Sequence, residues 1–61
     1  MKIRLDKETG IRHVYWPNGE QTRMAVVPSP FGKGYAVFDN GRLIATYPNL
    51  SAANKAAKAM V

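Results

Sequence analysis

The chain has no cysteine, which removes disulfides and thiolate metal ligands together. One histidine and four carboxylates leave little from which to build a metal site or an acid–base pair. Asp6, Glu8, Glu20 and Asp39 each fall at a predicted turn, so no paired carboxylates can be argued for proton transfer. The expectation is a non-enzymatic protein that uses no cofactor. Long apolar runs are also missing: Met1-Lys2 is followed at once by Ile-Arg-Leu-Asp, with neither a signal core nor a membrane span. A complete small cytoplasmic reading frame with no membrane partner is expected from these absences.

Length is short too. A chain of 61 residues allows one domain, spanning 1–61, and one small core, because chains this size bury only about 60% of their unfolded surface. Tyr15, Trp16, Phe31, Tyr35, Phe38 and Tyr47 give too much aromatic content for a disordered tail. Nine Lys/Arg against four Asp/Glu leave a net charge of +5. On so few residues that is a strong field, suited to a polyanion, to an acidic protein surface, or simply to solubility.

Three hairpins are legible in order. Lys2–Leu5 and Ile11–Trp16 flank Asp6-Lys7-Glu8-Thr9-Gly10, whose last glycine suits the positive-φ position of a turn with a bulge. Asn18-Gly19 separates Ile11–Trp16 from Gln21–Val27, and Asn40-Gly41 separates Tyr35–Phe38 from Leu43–Tyr47. Asn-Gly is the strongest short hairpin signal, since a two-residue turn needs φ > 0 at both central positions. Pro28-Ser29-Pro30-Phe31-Gly32-Lys33-Gly34 cannot be regular structure and reads as a loop. Phe31 is expected to fold back over the core. Gly32-Lys33-Gly34 lacks the spacing of a phosphate-binding loop and reads as a flexible turn. Ser51 as N-cap and the alanine-rich run to Met60 predict a terminal helix, with Ala53, Ala56, Ala57 and Met60 on its inner face and Lys55 and Lys58 outside. The predicted fold is α+β: an antiparallel β-meander of four to five strands, in two to three hairpins, with one C-terminal α-helix packed on one face.

Turn geometry sets register, and register sets faces. A two-residue turn at Asn18-Gly19 pairs Trp16 with Gln21, Val14 with Arg23, His13 with Met24 and Ile11 with Val26. Ile3, Leu5, Ile11, His13, Tyr15, Met24 and Val26 then form an apolar inner face, with His13 a core histidine. Lys2, Arg4, Arg12, Val14, Trp16, Gln21 and Arg23 form an outer face, with a tryptophan among positive charges. In the third hairpin Phe38, Leu43 and Ala45 are expected to meet the helix, and Tyr35 and Arg42 to extend the cationic face. Arginine forks match phosphates and guanine edges, and an exposed indole can stack on an unpaired base.

Residues 21–60 also resemble the three-strand-plus-helix DNA-binding domains of plant ethylene-response factors and of phage integrase arm-binding modules. The resemblance rests on Tyr35-Ala36-Val37-Phe38, Asn40-Gly41, Arg42–Tyr47, Leu50-Ser51-Ala52-Ala53 and Ala56-Ala57. It implies a sheet face laid in the major groove and implicates Arg23, Lys33, Tyr35 and Arg42. The extra N-terminal hairpin and the long Pro28–Gly34 loop depart from that pattern. Taken together, Arg4, Arg12, Trp16, Arg23, Lys33, Tyr35 and Arg42 are the candidate binding residues. The leading expectation is a nucleic-acid-binding module, DNA favoured, such as a small phage or mobile-element regulator. The alternative is a basic inhibitor or adaptor docking on an acidic protein surface.

Overall fold

A computed structural model describes residues 1–61. Five strands, β1 (Lys2–Asp6), β2 (Ile11–Tyr15), β3 (Gln21–Pro28), β4 (Tyr35–Asp39) and β5 (Arg42–Tyr47), form one antiparallel sheet in sequence order, followed by a helix, α1 (Leu50–Ala59). The α+β meander predicted from the hairpin signals is what the chain adopts.

The two Asn-Gly corners differ. At the β4–β5 corner both Asn40 (φ 51°) and Gly41 (φ 84°) are left-handed, the conformation of a two-residue turn. At the β2–β3 corner only Gly19 is (φ 91°). A two-residue turn there would pair Pro17 with Glu20 and require an N–H that proline lacks. Pro17 instead takes the first central position of a wider turn. The Gly19 N–H donates to the Trp16 carbonyl at 2.9 Å, and the Trp16 N–H donates to the Glu20 carbonyl at 2.8 Å. The register slips by one, so Tyr15, not Trp16, faces Gln21.

A bulge follows. His13 pairs with Ala25 and Arg12 with Val26, so Val14 alone opposes Thr22, Arg23 and Met24. The buried Thr22 hydroxyl holds this irregularity, donating to the Val14 carbonyl at 2.8 Å and accepting from the Met24 N–H at 3.1 Å. Those bonds satisfy main-chain groups that the bulge removes from the ladder.

The expected division of faces is therefore corrected. Val14, Met24, Val26 and Val37 are buried with Ala53 and Ala57, and Ile3, Tyr35, Tyr47 and Leu50 pack against them. The strand residue expected outside, Val14, lies at the centre of the core, whereas Ile11, His13 and Tyr15, expected inside, lie on the side away from the helix. β1 keeps its expected sides despite the inversion in β2: Ile3, opposite Val14, packs against the core, and Arg4, opposite His13, turns outward, although Leu5 is 46% exposed. In β5 a second bulge beside Phe38 puts Leu43 opposite Phe38, while Ala45 stays opposite Val37. Val37 and Ala45 share the helix side; Phe38 and Leu43 do not.

The helix begins two residues earlier than expected. Asn49, not Ser51, is the N-cap, and its Oδ1 accepts from the Ala52 N–H at 2.8 Å. Ala53 and Ala57 are fully buried, whereas Met60, expected on the inner face, is exposed. The absence of side-chain bulk at those two positions lets the helix sit close over Val26 and Val37. Phe31, expected over the core, is 76% exposed. The loop is closed on itself by the Ser29 N–H to the Gly34 carbonyl and by the Phe31 N–H to Ser29 Oγ, leaving its tip clear of the sheet.

Candidate functional site

The seven candidate residues do not come together on one surface. Arg4 is on the side of the sheet away from the helix, its guanidinium 5.7 Å from the Tyr15 ring centroid. Arg12 is on the helix side, 5.9 Å from the Tyr35 ring. Tyr35 itself packs against the core and lies on the side opposite to a groove-reading sheet face. Arg23 sits in the β3 bulge with its Nε 2.9 Å from Asp39 Oδ1, so part of its charge is neutralised locally. Arg42 stands opposite Asp39 in the β4–β5 ladder, and Lys33 is exposed in the loop after β3. Trp16 lies just past the end of β2, 42% exposed, in a shallow groove with Gln21, Thr22, Arg23 and Val61. Of the arginines grouped with Trp16 by the sequence reading, Arg23 alone lines that groove. The reason is the turn and bulge: they change which alternate residues of β2 and β3 face outward.

What the topology does assemble is the uncovered side of the sheet. One helix covers one face only. By register the other face carries Lys2 and Arg4 from β1, Ile11, His13 and Tyr15 from β2, Ala25 and Val27 from β3, and Phe38 with Leu43 from β4 and β5. Its centre is a trough of about 320 Å³ lined by Ile11, His13, Ala25, Val27, Phe38 and Gly41. Leu43 and Ile44, in the β5 bulge, are 38% and 43% exposed. Ile11, Ala25, Val27 and Phe38 are half-buried and Leu43 is exposed, so the face presents a contiguous apolar surface, the kind of patch that interaction sites use. The missed signal was in the sequence: a single helix cannot cover both faces of a five-stranded sheet, and the strands hold apolar residues at both parities.

The face is poor in chemistry beyond that. No three His, Asp or Glu side chains come together as metal ligands, and Asp6 is the one carboxylate that register places on it. No helix is long and apolar enough to cross a membrane. Comparison with protein-family models, with curated proteins and with solved structures finds no significant match. The function therefore rests on the surface itself.

Proposed function

We propose that this chain is a small basic adaptor or inhibitor that docks the uncovered face of its sheet on an apolar patch of a larger protein whose rim is acidic. The observation that supports this most is the contiguous Ile11, Ala25, Val27, Phe38, Leu43 surface left open opposite the helix. Apolar centres with polar rims are what protein interfaces use. Dispersal of the arginines over both faces speaks for this and against a single cationic surface tracking duplex phosphates. A second copy as the partner is disfavoured by the +5 charge on each chain.

One observation favours a second reading, single-stranded nucleic acid. Arg4 stacked near Tyr15, beside His13 and Lys2 on the same face, is an arrangement on which unpaired bases can stack. The two are separated by a nuclease-treated pull-down run beside an NMR titration with single-stranded and duplex oligonucleotides. The docking reading expects a protein retained by the wild type and lost by Phe38→Lys, with no oligonucleotide shifts on the open face. Shifts at His13 and Tyr15 that vanish as salt rises would instead establish the nucleic-acid reading.

A further inference from the structure

Resting on the docking reading above, we infer that the occupant of the open face is an amphipathic helix of the partner, apolar across its centre and carboxylate-bearing along one flank. Shape carries the first half. The trough is lined by Ile11, His13, Ala25, Val27, Phe38 and Gly41, and by register the small Ala25 stands between the larger His13 and Phe38 of the flanking strands. A small side chain between larger ones accepts a convex cylinder better than a flat sheet. The strands are five to eight residues long, and a helix of about 11 residues, roughly 16 Å, spans that length. The molecule already packs its other face in this way, with α1 over Val26 and Val37. A partner helix on the open side completes a three-layer arrangement in which both apolar faces of the sheet are covered.

Charge carries the second half. The cations on the face lie along one border only, Lys2 and Arg4 on β1, with Asp6 the sole carboxylate beside them. The opposite border carries no charge: Leu43 and Ile44 are substantially exposed, and register adds Thr46 to the same side. A bound helix therefore meets positive charge on one flank and uncharged surface on the other. This asymmetry fixes its orientation as well as its composition, as rim charges do at interfaces.

The test uses the full chain and a synthetic amphipathic helical peptide with a Leu/Ala face and glutamates along one flank, followed by amide NMR. Saturable shifts at Ile11, His13, Ala25, Val27 and Phe38 are expected. Replacing the glutamates by glutamine should weaken binding roughly threefold to tenfold, as two exposed ion pairs allow, and Lys2→Ala/Arg4→Ala should remove that difference. Binding that ignores the peptide's charge overturns the acidic flank. Shifts confined to other surfaces, or the same shifts produced by raising the concentration of the chain alone, overturn the helix proposal altogether. If no peptide shifts the face but Phe38→Lys still abolishes protein capture, the occupant is not a helix and the docking reading stands. If neither effect is seen, both fail.

Discussion

Removing the Thr22 hydroxyl without changing the side chain's shape isolates the device that fixes the β2–β3 register. Thr22 is 7% exposed, donates to the Val14 carbonyl at 2.8 Å and accepts from the Met24 N–H at 3.1 Å. In Thr22→Val both main-chain groups lose that partner inside the structure. An unsatisfied buried group costs about 1–3 kcal/mol, and the extra methyl returns up to roughly 0.8 kcal/mol, so a net loss of about 2–3 kcal/mol is expected. Domains of this size have only about 3–9 kcal/mol in total at 0.05–0.15 kcal/mol per residue. At about 4–8 °C per kcal/mol, Tm should fall by roughly 10–20 °C. Thr22→Ser keeps the hydroxyl and loses one methyl, at a cost of about 1 kcal/mol. Urea and thermal unfolding, read by circular dichroism and by Trp16 fluorescence, should rank wild type above Thr22→Ser and Thr22→Ser above Thr22→Val. A valine variant as stable as the serine one would refute the role given to the hydroxyl.

Asn49→Ala should cost about 1 kcal/mol by removing the helix cap, whereas Ser51→Ala should be neutral within about 0.5 kcal/mol; denaturation midpoints of the two variants decide which residue caps α1. Gly34→Ala should destabilise by more than about 2 kcal/mol, because φ is +89° and an added Cβ would overlap the Tyr47 carbonyl oxygen; equal midpoints for variant and wild type would contradict the close approach. Ala57→Leu should cost about 1–3 kcal/mol by forcing the helix off the sheet, visible as a lower Tm with altered Trp16 emission if the displacement reaches the nearby Val61 groove. Arg23→Ala should change stability by less than about 1 kcal/mol, since the Arg23 side chain of its pair with Asp39 is 70% exposed; a larger loss in a double-mutant cycle would show that the ion pair holds the bulge.

Much of this molecule follows from local chemistry. Strand positions, the Asn40-Gly41 corner, the irregular Pro28–Gly34 loop and the terminal helix all come from signals a few residues long, because turns, caps and helix propensity act over that range. Even the wider β2–β3 corner was written in Pro17, whose missing N–H forbids the tighter turn. Which face of the sheet is inside was not local. In β2 the alternation Ile11, His13, Tyr15 against Arg12, Val14 can be buried either way. The choice fell to a two-residue bulge in the neighbouring strand and to where α1 could lay Ala53 and Ala57. Both are long-range pairings whose energy is shared among many side chains. For the same reason the arginines that a regular ladder would have gathered are dispersed. A surface set by alternation reverses when cross-strand packing shifts the register, whereas the elements that carry it do not.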